Sequence, residues 1–242
     1  MTISILHMYY DLMNLYGDYG NVAILSRELQ RQGFDVRVER MSVGDTVEFC
    51  KYDMLYMGCG TERSQRACMV DLARYREQSA DFIHAEGAAL FTGNAHELLG
   101  NTITAPDGKR YQSLGLFDFE TIQDNNRVTG DCIYNCDFLP DKLIGFTNRS
   151  GGQAGNIDRP FKVEFDPGAT SDGIYEGIMV KNTLGTYLTG PVLIRNPGLL
   201  RYYSKLLCRK KDPAHVYLDT VSPNQTAAYH SALEQLTLRM NG

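Results

Sequence analysis

Two stretches of the chain carry residue types that suit acyl-transfer chemistry. Gly58-Cys59-Gly60 sets a thiol in a glycine-rich loop. Ala88 to Thr92, then Gly93-Asn94-Ala95 and the residues on to Gly100, read as a buried strand, a sharp turn and a helix. That is the shape on which many hydrolases present a nucleophile. His96 lies in the predicted helix, three residues from Gly93, and is the histidine nearest to that turn by sequence. Hydrolysis of an amide through a covalent intermediate needs a thiolate or alkoxide, a base that activates it, and backbone donors for the tetrahedral oxyanion. The other cysteines are Cys50, Cys68, Cys132, Cys136 and Cys208, and no CxxC pair occurs, so zinc and dithiol readings find no support. In a reducing compartment such residues act as small core side chains. Cys132 and Cys136 have the same parity and would share one face of a strand. Glu62 and Arg63 stand at a predicted helix start and read as helix-end charges.

The elements that must hold these residues alternate. Ser4 to Tyr9 is a short apolar strand, followed by the turn-rich loop Asn14 to Gly20. A helix follows from Asn21, its expected cap, to Gly33, with Val22, Leu25 and Leu29 on one face. Strands are predicted at Asp35 to Arg40, Asp53 to Met57 and Ala88 to Thr92, with helices over Arg63 to Ser79, on to Glu86, and from Asn94 to Leu99. Such alternation implies a parallel sheet with right-handed crossovers, whose functional loops lie at the carboxyl ends of the strands. From Asn101 to Gly190 the pattern changes to short β-like runs at Val128 to Tyr134, Leu143 to Phe146, Lys162 to Phe165 and Gly173 to Val180. We read this part as a mostly antiparallel continuation of the same sheet, not an independent domain. Helices are predicted over Pro197 to Arg209 and Asn224 to Arg239, the latter packing through Ala227, Ala228, Leu233 and Leu236.

Composition narrows the function classes. The 242 residues carry a formal net charge of -5, and the densest basic stretch, Arg209-Lys210-Lys211, reads as a solvated helix end. Neither a nucleic-acid groove nor an anionic-membrane face is expected. No apolar run reaches the roughly 20 residues of a membrane span, and the first residues read as a strand rather than a signal peptide. The expected compartment is the cytoplasm, and no cofactor or metal is called for. Tyr9, Tyr10, Tyr16 and Tyr19 cluster around the first loop, where exposed tyrosines would suit a partner interface.

Several strings carry a family resemblance. Leu90-Phe-Thr-Gly-Asn-Ala-His-Glu-Leu-Leu-Gly100 resembles the nucleophile elbow of the cobyric-acid-synthase-like (CobB/CobQ-like) class I glutamine amidotransferases. Leu184-Gly-Thr-Tyr-Leu-Thr-Gly-Pro191 is similar to their L-G-T-Y-L-H-G-P motif, and Gly58-Cys-Gly-Thr-Glu-Arg63 resembles the glycine-rich loop bordering their oxyanion site. Asn126 to Asp131 and Gly145 to Asn148 resemble two further segments. Asn14-Leu-Tyr-Gly-Asp-Tyr-Gly-Asn21 resembles the opening loop of one subfamily, the GatD-type subunits of lipid II isoglutaminyl synthase, which pair with a Mur-ligase-like subunit, MurT, and feed it ammonia.

The resemblance implies one three-layer, flavodoxin-like α/β domain over residues 1–242 with a largely parallel central sheet. It implies a substrate-binding role for Gly58, Gly60 and Arg127, whose plainer reading is a surface ion pair. It also places Gly93 where the nucleophilic cysteine belongs and Thr189 where the general-base histidine belongs. Glycine offers no attacking atom, and threonine is no base near neutral pH. In a serine hydrolase, loss of either partner costs about a millionfold in turnover. The expectation is therefore a GatD-like subunit, deficient as a glutaminase, that assembles with a MurT-like ligase. Two alternatives stand beside it: an active enzyme with rebuilt chemistry at Cys59 and His96, and a regulatory module whose old pocket binds glutamine.

Overall fold

A computed structural model describes residues 1–168, 175–219 and 222–240. Its central sheet takes strands β1 (Thr2–Met8), β2 (Asp35–Met41), β3 (Met54–Met57), β4 (Ala88–Thr92), β11 (Ile178–Val180) and β12 (Thr183–Thr186) in the order β11-β12-β4-β3-β1-β2. All neighbours run parallel except β11 on β12. Residue alternation explains why both faces are covered. Ile3, Ile5, Met54, Tyr56, Ala88 and Leu90 face one core, under α1 (Tyr19–Arg31) and α5 (Pro197–Lys211). Leu6, Met8, Leu55, Met57, Ala89 and Phe91 face the other, under α2 (Glu62–Leu72) and α3 (Arg76–His84). Period-two burial on both faces is what a parallel sheet between helical layers requires.

The expected continuation of this sheet through Asn101 to Gly190 is corrected in part. Among the described residues most of that stretch forms a second, mainly antiparallel sheet: β5 (Thr102–Thr104), β6 (Arg110–Gln112), β7 (Phe119–Cys136), β8 (Leu143–Gly155), β9 (Phe161–Phe165), β10 (Tyr175–Glu176) and β13 (Leu188–Thr189). Only β11 and β12 return to the first sheet. The long β7–β8 ladder supplies the reason: with its own antiparallel partner, β7 satisfies its backbone without the first sheet. Gly173 and Ile174, the start of one predicted strand, lie outside the described residues. Cys132 and Cys136 are both buried in the core, as their parity suggested.

Two helix expectations also change. α1 begins at Tyr19, not after Asn21, because Asn14 Oδ1 accepts the Tyr19 amide at 2.7 Å. Asn21 is buried instead, donating to Tyr56 Oη at 2.8 Å and accepting from the Leu193 amide at 2.8 Å. α6 (Pro223–Met240) packs through Tyr229, Ala232, Leu233 and Leu236, while Ala227 and Ala228 are exposed. The short α4 (Val192–Arg195) links β13 to α5.

Candidate active site

The carboxyl ends of β1, β3 and β4 meet at one place, where the first loop, the glycine-rich loop and the elbow touch. Gly58 and Gly60 are needed for this contact. A Cβ at Gly58 would stand 2.6 Å from the Met13 carbonyl oxygen, and one at Gly60 would stand 2.3 Å from the Met13 sulfur. Asp18, fully buried, ties the three segments together. Its Oδ2 accepts the Cys59 amide at 2.6 Å and the Thr92 hydroxyl at 2.9 Å. Burial pushes the Asp18 carboxyl up to about 6, against the opposing bonds from Cys59, Thr92 and Gly190.

Gly93 opens a 3₁₀ turn, Gly93–Leu99, rather than the expected α-helix. Its φ is +57°, in the left-handed region that nucleophile elbows use and that glycine enters without cost. A Cβ at this position would lie 2.6 Å from Cys59 Sγ and 3.0 Å from Thr189 Cγ2. The fold therefore brings Gly93, Cys59 and Thr189 together, with the Cys59 side chain filling the space that a side chain at position 93 would need. Thr189 turns its hydroxyl to the Phe146 carbonyl at 3.0 Å.

The rebuilt pair does not form. Cys59 Sγ points at the Gly60 carbonyl at 3.8 Å, while His96 Nδ1 bonds the Gly93 carbonyl at 2.6 Å. No hydrogen bond joins Cys59 to His96 among the described residues. Burial pushes the Cys59 thiol up to about 12, although the Asn94 backbone amide pulls the other way. Burial also pushes His96 down to about 4, opposing the Gly93 carbonyl. Near neutral pH the thiol is protonated and the imidazole uncharged, with no contact through which one would activate the other.

The oxyanion side is occupied from within. Asn94 bridges the Gly60 peptide in both directions: Gly60 N–H donates to Asn94 Oδ1 at 3.0 Å, and Asn94 Nδ2 donates to the Gly60 carbonyl at 2.9 Å. With the Cys59 amide held by Asp18, the two donors of the glycine-rich loop are spent on protein acceptors.

Beside this closed centre lies an open cleft of about 240 Å³, lined in part by Tyr16, Glu62, Asn94, Glu97, Arg127 and Arg149. Arg127 donates to Asn148 at 2.8 Å and pairs with Glu62, whose Oε1 also accepts from Ser150 at 3.1 Å. The ion-pair reading of Arg127 thus holds alongside its position in the cleft. Burial works against the Glu62 charge, but its own backbone amide, Arg127 and Ser150 outweigh it and hold this carboxyl low. Glu97 is buried and receives bonds from Gln65 at 2.7 Å, Tyr187 at 3.0 Å and Gln123 at 3.2 Å. Burial nonetheless raises its pKa. Tyr16 has φ +60°, an uncommon state for a bulky residue, and its Oη accepts from Asn148 at 2.6 Å. Of the four clustered tyrosines, Tyr9 is wholly buried against Asp71; only Tyr16 and Tyr19 are well exposed, at 46% and 61%.

The model of the CobB/CobQ-like glutamine amidotransferase domain matches residues 4–197. The chain belongs to this family. Two curated relatives are both described as subunit GatD of the glutamine-hydrolysing lipid II isoglutaminyl synthase. The Streptococcus pneumoniae protein is 33% identical over 201 residues, covering 81% of this chain and 77% of its own. The Staphylococcus aureus protein is 29% identical over 209 residues, covering 86% of each. A glutamine amidotransferase from Thermotoga maritima superposes with a TM-score of 0.54 at 14% identity over 98% of this chain and 97% of its own, a likeness of fold alone. A second glutamine amidotransferase structure gives 0.52 at 13% identity over 84% of this chain and 98% of its own.

Sequence reasoning named Gly93, Thr189, Cys59, His96, Arg127, Gly58 and Gly60, and the structure gathers them around one centre. It missed Asp18, whose only signal was its place inside the Asn14 to Asn21 string. It also missed Arg149, which directly follows the Gly145 to Asn148 segment.

Proposed function

We propose that this chain is a GatD-like subunit that does not hydrolyse glutamine. It works, on this reading, by assembling with a MurT-like Mur ligase in the cytoplasm and supporting amidation of the D-glutamate of lipid II, with ammonia from another source. The observation that carries the reading is at the elbow: Gly93 offers no nucleophile, and Cys59 Sγ stands 2.6 Å from where its Cβ would be. The relatives supply the pathway, since both similar proteins are GatD subunits. Residues 1–242 act as one unit in this proposal.

The docking surface is proposed beside the cleft. Leu15 and Tyr16, which line the cleft, are exposed at 37% and 46%, and Tyr19 on α1 and Ile194 on α4 at 61% and 41%. A Cβ on Gly20 would lie 3.1 Å from Ile194 Cδ1, so the start of α1 and the Ile194 side chain are neighbours. Exposed tyrosines beside aliphatic side chains suit an interface core. The test is co-expression with a Mur-ligase-like protein from the same genome, followed by amidation of lipid II with ammonium or with glutamine as nitrogen donor. A complex that uses ammonium and not glutamine is expected. Efficient use of glutamine, or failure to form any complex, would remove the proposal.

A further inference from the structure

At the opposite end of the parallel sheet from the elbow lies a second cavity, of about 500 Å³. The elbow stands at the carboxyl end of β4. This cavity stands at the amino ends of β3 and β4, where Tyr52 and Asp53 lead into one strand and Gly87 into the other. The 3₁₀ turn Phe49–Lys51 contributes Cys50, α3 contributes Asp81 and Phe82, and α5 contributes Lys210. Its floor is apolar and aromatic. Phe82 is buried, and Gly87 lets its ring lie against the backbone, since a Cβ there would stand 2.2 Å from Phe82 Cε1. The Tyr52 hydroxyl donates to Glu39 at 2.5 Å, which fixes the ring at the wall. A volume within ~300–1,000 Å³, an apolar floor and a few polar groups are the features of a small-molecule site.

The charges at its wall fix the ligand class. Glu48 is already answered by Lys51 at 2.6 Å, and Asp53 by Lys211 at 3.0 Å. Asp81 and Lys210 are left. The Asp81 carboxylate has no hydrogen bond or ion pair among the described residues. Lys210 spends one of its three donors on the Glu86 carbonyl at 2.5 Å and meets no carboxylate among the described residues. The two groups are neighbours that do not touch. The Ala85 amide donates to the Asp81 carbonyl at 2.9 Å, so Asp81 lies one helical turn before Ala85, while Lys210 Nζ reaches the residue just after it. A ligand with one charge answers only one of these groups. A ligand with an ammonium and a carboxylate on the same carbon answers both. We propose that this cavity binds a free aromatic α-amino acid, its ammonium on Asp81, its carboxylate on Lys210 and its ring against Phe82 and Tyr52. The inference does not depend on whether the elbow turns glutamine over.

Cys50 supplies a readout, because it is exposed at this cavity while the other five cysteines are buried. The test is calorimetric titration of the full chain with L-phenylalanine, with 3-phenylpropionate, which lacks the ammonium, and with 2-phenylethylamine, which lacks the carboxylate. The rate of Cys50 alkylation by iodoacetamide is followed with each ligand present. L-phenylalanine should bind about tenfold or more tightly than either single-charge analogue and should slow the alkylation. Asp81→Asn should weaken L-phenylalanine about tenfold and leave 3-phenylpropionate unchanged. Lys210→Gln should weaken L-phenylalanine and leave 2-phenylethylamine unchanged. Both side chains are exposed, and thermal melts of the variants check that the fold is intact. Equal affinity for the three ligands, variants that weaken all three alike, binding without protection of Cys50, or no binding at all would overturn the inference.

Discussion

At residue scale, the proposed absence of glutamine hydrolysis rests on several interlocking contacts rather than on one residue. Gly93 and Cys59 are coupled sterically, since one side chain fills the room of the other. Gly93→Cys is therefore expected to destabilise the chain by about 2–4 kcal/mol, from the left-handed backbone and the overlap with Cys59 together. Cys59→Gly in the same chain should recover at least half of that loss, as measured by urea denaturation of the single and double variants. Additive effects would show that the two sites do not compete for space. For activity, Gly93→Cys with Thr189→His should stay about a hundredfold or more below an intact relative, because Asn94 and Asp18 hold the loop donors. Turnover equal to an intact relative would contradict this. His96 gives a pH signature. Its pKa is about 4 in the fold against 6.5 when free, so between those values the unfolded chain binds a proton that the folded chain does not. Stability from this group is present above pH 6.5 and is lost as pH falls toward 4, by about 3 kcal/mol. His96→Gln should lack that loss, and parallel stability–pH curves for the two proteins would refute the assignment.

At the scale of elements, the parallel sheet was legible because its strands carry period-two apolar runs separated by amphipathic helices. Ala88 to Thr92 matched residue for residue, and the strands to Met41 and Met57 differed only at their ends. The second sheet was not legible as a separate sheet, since its main ladder joins the sequence neighbours β7 and β8, and their local pattern does not say which sheet they belong to. The site was legible where a motif string fixed a position, as at Gly93 and Thr189. It was obscure where a side chain acts across loops, as Asp18 does on Cys59 and Thr92. α6 allows a test at this scale. It buries only Tyr229 and Leu236, against Ile133 and Ile144. Tyr229→Ala, which also removes a 2.8 Å bond to the Lys142 carbonyl, should cost about 2–4 kcal/mol. A chain ending before Pro223 should keep the cooperative unfolding of the parallel sheet at a lower midpoint. Loss of all cooperative structure on that truncation would show that α6 holds the whole fold.

For the whole molecule, the family fold surrounds the centre where Gly93, Cys59 and Thr189 meet, and Tyr16 at the cleft and Tyr19 at the start of α1 are both exposed. If assembly is the retained role, Tyr16→Ala with Tyr19→Ala should weaken the complex with a Mur-ligase-like partner about thirtyfold or more while leaving the melting curve of the free chain unchanged. Unaltered affinity would move the interface elsewhere. The central claim, that no glutamine is hydrolysed here, is tested most directly by glutamate release from glutamine, measured on the full chain alone and in complex with its partner. Release indistinguishable from a protein-free control at every glutamine concentration is the expected result. Release that scales with the amount of protein and saturates with glutamine would contradict it.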